Sequence, residues 1–140
     1  MNNGMKMPKI GLGTAFVSNK KVITDAVIHA GYRHIDTASL YHTEGIIGEA
    51  LQEIFSTTNI KREDIFITTK LIQHEFKEPE EALNRSLANL KLDYVDLYLI
   101  HWPDHYFAGG DYPLHVFWAK LEKLVDGGKI KSLGVSNYNV

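Results

Sequence analysis

The sequence contains no cysteine, and its charges nearly balance. Without cysteine the chain can form neither a disulfide nor a thiolate zinc site, which is typical of a reducing compartment and favours the cytoplasm. The formal net charge is -2, and the positive residues are scattered along the chain. We therefore expect no basic surface that would bind nucleic acid.

Long apolar runs are also missing. A membrane-spanning helix needs about 18 or more consecutive apolar residues, and the sequence has no such uncharged stretch. Residues 1–6 carry neither the apolar segment of a secretion signal nor an arginine-rich amphipathic pattern. We expect a soluble chain that is neither secreted nor bound to a membrane.

What is present is the composition of an ordinary folded domain. The 140 residues are 44% hydrophobic and 23% charged, which predicts one soluble domain over residues 1–140. Apolar β-rich runs predict strands at 9–14, 33–36, 64–70, 94–101 and 130–135. Helical periodicity between them predicts helices at 18–30, at 44–55, from Pro79 onward and at 114–125. Ser18 and Thr43 are the predicted N-terminal caps of the first two helices.

Strands that alternate with helices indicate βα repeats and a parallel sheet. A doubly wound dinucleotide-binding sheet is the rival, but residues 11–13 (Gly-Leu-Gly) lack the third glycine of its phosphate-binding turn. A complete (β/α)8 barrel needs about 250 residues. The predicted fold is therefore α/β, a parallel (β/α)8 barrel of the TIM type that is incomplete, with about five of the eight strands.

Four residues able to do chemistry lie at or just beyond three predicted strand ends: Asp36, Tyr41, Lys70 and His101. Because the C-terminal ends of barrel strands converge on one face, we expect these side chains to share a pocket. A lysine ammonium beside the phenol favours the phenolate, which would make Tyr41 a better proton donor. Asp36 would keep that ammonium charged, and His101 could orient a substrate carbonyl.

Four segments of the chain resemble successive signatures of the aldo-keto reductase family. They are residues 31–38 (GYRHIDTA) together with Tyr41 and Glu44, 66–71 (FITTKL), 96–103 (DLYLIHWP) and 130–137 (IKSLGVSN). The likeness starts at Met7 and covers nearly the whole chain in the family's order. It implies the N-terminal part of a reductase barrel that reduces aldehydes or ketones to alcohols, with a small carbonyl compound as substrate.

The resemblance also implies a role for individual residues. It identifies a catalytic tetrad of Asp36, Tyr41, Lys70 and His101, with Tyr41 as the general acid. It places the cofactor contacts at Gly13, Thr14, Asp36, Ser136 and Asn137, the last two on the nicotinamide carboxamide. It places the substrate contacts at Tyr41, His101 and Trp102. The chain departs from the family at Ala15, where many members have an aromatic residue.

NADPH is the cofactor that the resemblance implies, and NADH stays open. In the family, the residues that bind the 2′-phosphate of the cofactor and stack on its nicotinamide lie in the C-terminal half of the protein. Residues 1–140 match only the N-terminal half. The sequence therefore does not show which of the two dinucleotides is preferred, nor the size of the substrate.

Simpler interpretations stand beside the catalytic ones. Asp36 and Lys70 could form only a structural ion pair, and residues 136–137 could simply cap a further helix. His34 and His42 are expected to be ordinary polar residues, so no metal site is predicted.

The aromatic residues near the fourth strand divide by position. Phe117 and Trp118 lie at helical spacing and are predicted to be core, because bulky rings on a helix face usually pack inward. Trp102 and Phe107 lie in the long loop that follows the fourth strand, so they are the candidates for a substrate pocket.

A non-enzymatic function is the alternative. Five strands cannot close a barrel, so the first and fifth would keep unpaired edges. We expect a second copy, a partner protein or the missing C-terminal half to cover these edges. In the alternative interpretation the chain is an inactive structural or interaction subunit that acts through them.

Overall fold

The computed structural model describes residues 1, 3–103 and 114–139. The strands are β1 (Leu12–Gly13), β2 (His34–Asp36), β3 (Phe66–Leu71), β4 (Leu97–Ile100) and β5 (Leu133–Val135). The helices are α1 (Lys20–Ile28), α2 (Glu44–Thr57), α3 (Pro79–Leu90) and α4 (Leu114–Asp126). Phe107, the second loop aromatic that the sequence offered for a substrate pocket, lies outside the described residues.

The five strands form one parallel sheet in the order β1-β2-β3-β4-β5. A doubly wound sheet reverses its strand order at a switch point, whereas here every crossover adds the next strand on the same side. One helix, α1 to α4 in turn, lies between each pair of consecutive strands. The prediction of an incomplete parallel barrel is confirmed.

All five predicted strands exist, but each is shorter than predicted or shifted at its ends. The fourth, for example, begins at Leu97 rather than at residue 94. The Asp96 carboxylate explains this, since its Oδ2 accepts the backbone N–H of Ile67 at 2.8 Å and also pairs with Arg62 at 2.7 Å. The Asp96 side chain thus binds the backbone N–H of Ile67 in β3, which would otherwise donate to the backbone of a longer β4.

Of the two predicted helix caps, Ser18 is wrong, and Thr43 occupies the N-cap position without making a side-chain capping bond. Helix α1 begins at Lys20 because Asn19 is the cap, its side-chain oxygen accepting the Lys21 N–H at 2.9 Å. Helix α2 begins at Glu44, after Thr43, as expected, but Thr43 makes no side-chain capping bond. The Thr43 hydroxyl lies instead 3.0 Å from the hydroxyl of Thr37, inside the protein.

One apolar cluster joins the sheet to the helices. Every residue of β3 is buried, as expected for a strand with neighbours on both sides. The prediction that Phe117 belongs to the core is confirmed at 1% exposure, and Trp118 packs against the cluster while partly exposed. The helical members are mainly Ile23, Val27, Ile47, Leu51, Ile54, Leu83, Leu87, Leu90 and Leu121.

Helices α2 and α3 approach so closely at Gly48 that a side chain does not fit. A Cβ at this position would overlap the backbone oxygen of Asn89, whereas one at Gly45 would meet open space. We expect Gly48→Ala to lower the free energy of unfolding by about 1 to 3 kcal/mol, as overpacking usually does. Gly45→Ala, in the same helix, should be neutral or stabilising by up to about 1 kcal/mol. Urea unfolding of both variants tests this, and equal stabilities would contradict it.

Candidate active site

The C-terminal strand ends bring the four predicted catalytic residues together. Asp36 is the last residue of β2, Lys70 lies near the end of β3, and His101 directly follows β4. Tyr41 ends a short 3-10 helix, Ser39–Tyr41, that follows β2. The parallel sheet therefore places one carboxylate, one ammonium, one imidazole and one phenol at the same edge.

Lys70 is the centre of this group. Its Nζ donates to Asp36 Oδ1 at 2.5 Å and to the backbone oxygen of Thr37 at 2.8 Å, and it lies 3.5 Å from Tyr41 Oη. The Lys70 side chain is only 6% exposed, and that of Asp36 is 36% exposed. Since an ammonium has only donors, the phenol oxygen can only accept from it, and the phenol proton stays available for another acceptor.

His101 completes the group from the β4 side. Its ring meets the Tyr41 ring edge to face, with the centroids 5.5 Å apart. Burial lowers the pKa of His101, and the positive charge of Lys70 lowers it further. The imidazole is therefore neutral at pH 7. Its Nδ1 is buried with no hydrogen-bond partner among the described residues.

Thr14 and Gly13, two of the predicted cofactor contacts, lie beside Asp36 at the end of β1. The backbone N–H and the hydroxyl of Thr14 both donate to the backbone oxygen of Asp36, at 3.1 and 3.0 Å. The hydroxyl proton of Thr14 is thus used inside the protein. A Cβ on Gly13 would meet nothing within 4 Å, so this edge of the sheet is open at the height of Asp36.

Ser136 and Asn137 follow β5 and are tied to the same edge. The Ser136 N–H donates to the backbone oxygen of Ile100 at 2.8 Å. Asn137 has a positive φ of 62°, and its Nδ2 donates to the backbone oxygen of His101 at 2.8 Å and to Ser136 Oγ at 3.1 Å. Both residues are thereby fixed against the end of β4.

An open cavity of about 890 Å³ adjoins this group. Trp102, 41% exposed, lines it, and its ring stacks near His101 with the centroids 6.2 Å apart. The other described residues that line it are Leu40, Ile72, Gln73, His74, Asn137 and Asn139. Sequence reasoning missed Gln73 and His74, although loops that follow barrel strands regularly build such walls.

Among residues 1, 3–103 and 114–139 no group of three His, Cys, Asp or Glu side chains could hold a metal ion. Within the same residues no helix is long and apolar enough to cross a bilayer.

Two buried histidines make the stability of the fold depend on pH. Burial lowers the pKa of His34, as it does that of His101. His34 is 9% exposed, its Nε2 lies 2.9 Å from the Thr68 hydroxyl, and Gly11 packs against its ring. Between the lowered pKa and the unfolded value of about 6.5, the unfolded chain binds protons that the folded chain does not.

We therefore expect the free energy of unfolding to have its full value above a pH of about 6.5 and to decrease as the pH falls below that value. Urea unfolding at a series of pH values tests this. His34→Gln should flatten the decrease, whereas the control His29→Gln should not, because His29 is exposed. An unchanged slope in His34→Gln would contradict the assignment.

Comparison with known proteins places this geometry in a family. The model of the Aldo/keto reductase family matches residues 4–140. An aldose reductase of Encephalitozoon cuniculi is 42% identical over 99% of this chain and 52% of its own length. The methylglyoxal reductase DkgA of Escherichia coli is 42% identical over all of this chain and 49% of its own length.

A solved structure shows the same fold. The aldose reductase from Schistosoma japonicum matches with a TM-score of 0.89 and 41% identity over 99% of this chain. The match covers 52% of that protein, and the chain spans about half the length of the relatives it matches. On sequence and on structure, the chain belongs to the aldo/keto reductase family.

Proposed function

We propose that this site reduces aldehydes or ketones to alcohols with a reduced nicotinamide cofactor. The observation that carries the proposal is the position of Lys70 Nζ, which joins the carboxylate of Asp36 to the hydroxyl of Tyr41 next to a neutral His101. This set supplies a proton donor, a positive charge to stabilise the phenolate left behind, and a neutral imidazole that can bind a carbonyl oxygen.

Each residue has one task in the proposed reaction. His101 and Tyr41 hold the carbonyl oxygen of the substrate by hydrogen bonds. When bound, the reduced nicotinamide supplies a hydride to the carbonyl carbon. The proton of Tyr41 moves to the carbonyl oxygen, which completes the alcohol, and the ammonium of Lys70 stabilises the resulting phenolate. Asp36 is the counterion of the buried Lys70 ammonium.

NADPH is the proposed cofactor, and NADH is not excluded. The residues proposed to hold it are Gly13, Thr14, Asp36, Ser136 and Asn137. A Cβ at Gly13 would meet nothing within 4 Å, which leaves room at this edge, so the residues present fit a nicotinamide ring. The cytoplasm, where both dinucleotides are found, is the proposed location.

Small carbonyl compounds are the proposed substrates, and the names of the relatives support this. Aldose reductase and methylglyoxal reductase are both named for carbonyl substrates. The cavity wall formed by Trp102, Leu40 and Ile72 offers apolar surface for the body of such a molecule.

The experiment that tests the proposal has two steps. The purified chain is first titrated with NADPH and with NADH, and binding is followed by the fluorescence of the reduced cofactor. A reactive aldehyde such as methylglyoxal is then added, and loss of the reduced nicotinamide absorbance measures turnover. Binding followed by turnover would support the proposal. A folded chain that binds neither dinucleotide would overturn the proposal.

A second candidate function is an inactive subunit that associates through its sheet edges. Within the part of the chain that the structure describes, strands β1 and β5 each have a neighbouring strand on one side only. Large apolar side chains lie exposed beside them, with Phe16 99%, Ile10 72% and Val135 46% exposed. Unpaired edges flanked by apolar surface commonly pair with another chain. A second copy, a partner protein or further barrel strands would cover these edges.

We expect the 140-residue chain, when purified alone, to self-associate. Even a few hundred Å² of exposed apolar surface, at about 25 cal/mol per Å², rivals the net stability of a domain. Light scattering at micromolar concentration should therefore report a dimer or larger assembly. Phe16→Ser should shift the distribution toward smaller species, whereas the control Val116→Ser, on helix α4 away from β1, should not. A cooperatively melting monomer would contradict the expectation.

A further inference from the structure

Glu75 is a largely buried carboxylate outside the predicted tetrad. It ends a 3-10 helix, Gln73–Glu75, in the loop that follows β3, and its side chain is 10% exposed. Its Oε2 accepts from the Ser39 hydroxyl at 3.0 Å and from the Ile72 N–H at 3.3 Å. Its Oε1 accepts from Arg85 of α3 at 2.9 Å. One side chain thus joins three segments of the chain.

Ser39 is the link from Glu75 to the site. It is the first residue of the 3-10 helix that ends at Tyr41, and the Tyr41 N–H closes this turn on the backbone oxygen of Ala38 at 3.0 Å. The Ser39 hydroxyl also lies 3.2 Å from the backbone oxygen of Lys70. The short helix that carries the phenol is therefore attached, two residues before Tyr41, to the strand that carries the ammonium.

We propose that Glu75 is a positioning residue that, through Ser39, holds the Tyr41 phenol against the Lys70 ammonium. Its contribution to a reaction rests on the proposed function, whereas its effect on the position of Tyr41 does not. The contact it secures is a loose one, because Lys70 Nζ lies 3.5 Å from Tyr41 Oη and 5.0 Å from the centre of the Tyr41 ring. A small movement of the 3-10 helix would break it.

The two oxygens of Glu75 differ in what they do. Arg85, which binds Oε1, is 58% exposed, so this ion pair is screened by water and contributes little. The other oxygen, Oε2, accepts from Ser39 and from the Ile72 N–H. Its loss leaves the Ile72 N–H without this acceptor and leaves the Ser39 hydroxyl with only the backbone oxygen of Lys70. The bond to Ser39 should therefore matter for Tyr41, and the bond to Arg85 should not.

The position of Tyr41 can be measured without any turnover. In the assembly that the chain forms, selectively labelled Tyr and Lys allow the nuclear Overhauser effect between the Tyr41 ring protons and the Lys70 ε-methylene to be recorded, with Tyr41→Phe used for assignment. We expect this effect to weaken at least about twofold in Glu75→Ala and in Ser39→Ala, because a broken positioning contact lets the ring move away. Arg85→Ala should keep it, and Glu75→Gln should restore much of it, because its amide oxygen can still accept from Ser39.

An unchanged Overhauser effect in a folded Glu75→Ala or Ser39→Ala chain would overturn the proposal, since a merely structural carboxylate would lower the melting temperature without moving Tyr41. Ser39→Ala keeps the test decisive if Glu75→Ala does not fold. In an assembly that turns over an aldehyde, Glu75→Ala should lower kcat by about ten- to a hundredfold with cofactor affinity unchanged. If the unsubstituted chain shows no turnover while the Overhauser effect still weakens in Glu75→Ala and Ser39→Ala, the proposed function is overturned. The positioning role of Glu75 is then still supported.

Discussion

Replacing Tyr41 with phenylalanine is expected to lower the rate of carbonyl reduction by about 10²- to 10⁴-fold, in any assembly of the chain that turns over an aldehyde. The phenol is the group whose oxygen lies next to Lys70 Nζ and whose ring packs on His101. Phenylalanine keeps the ring and its packing but has no proton to give. Affinity for the dinucleotide should stay nearly unchanged, because no cofactor contact is proposed for Tyr41.

Steady-state kinetics with a reactive aldehyde measure the rate of reduction by the variant. A fluorescence titration with NADPH measures its affinity for the dinucleotide. The matched control is Tyr32→Phe, since Tyr32 precedes β2 and lies at the opposite end of the sheet from the strand ends that carry the site. A loss confined to kcat and kcat/KM in Tyr41→Phe is the expected pattern. Full activity in this variant would remove Tyr41 from the role of general acid.

The sheet could be predicted from the sequence because its signals are local. Apolar β-rich runs alternate with helical periodicity, and such repeats have one common arrangement, a parallel sheet with crossover helices. The grouping of Asp36, Lys70 and His101 followed from the same rule, since side chains at the ends of parallel strands meet. Element bounds were less predictable. The start of β4 depends on Asp96 and Ile67, which are 29 residues apart.

The absence of a capping bond from Thr43 has a similar origin. A threonine directly before a helix usually caps it, and nothing near Thr43 in the sequence indicates otherwise. In the fold, its hydroxyl has alternative partners in Thr37, at 3.0 Å, and Thr14, at 3.5 Å. Thr37 is only six residues from Thr43, whereas Thr14, 29 residues away, reaches it only when the ends of β1 and β2 lie side by side.

The residues around the site were the least predictable. Glu75 in the sequence is one of several charged residues in the run 74–81, which reads as a solvated loop and helix start. Its burial depends on Ser39 and Arg85, 36 and 10 residues away. The role of a single side chain, such as the carboxylate of Asp36, can be proposed from the residue type and its position at a strand end. Support that comes from packing between segments appears only in three dimensions.

Lys70→Met is expected to be as damaging to turnover as the loss of the phenol, about 10²- to 10⁴-fold. Methionine has a similar length and no charge. The variant removes the donor to Asp36 Oδ1 and to the backbone oxygen of Thr37. The carboxylate of Asp36 is then left without its counterion, and no positive charge remains to stabilise the phenolate that proton transfer from Tyr41 leaves behind.

Stability measurements distinguish the effect of the Lys70 charge on folding from its effect on turnover. Removing one partner of a buried ion pair costs about 3 to 5 kcal/mol, but Asp36 is 36% exposed, so screening by water should reduce the loss to about 1 to 3 kcal/mol. The double variant Asp36→Asn with Lys70→Met no longer carries an unpaired carboxylate and should recover part of this stability while staying inactive. The control Lys20→Met breaks the exposed pair with Glu53 and should change neither quantity measurably. Normal turnover in Lys70→Met would show that the ammonium does not support the phenol, and equal stabilities of the single and double variants would show that Asp36 does not need a buried counterion.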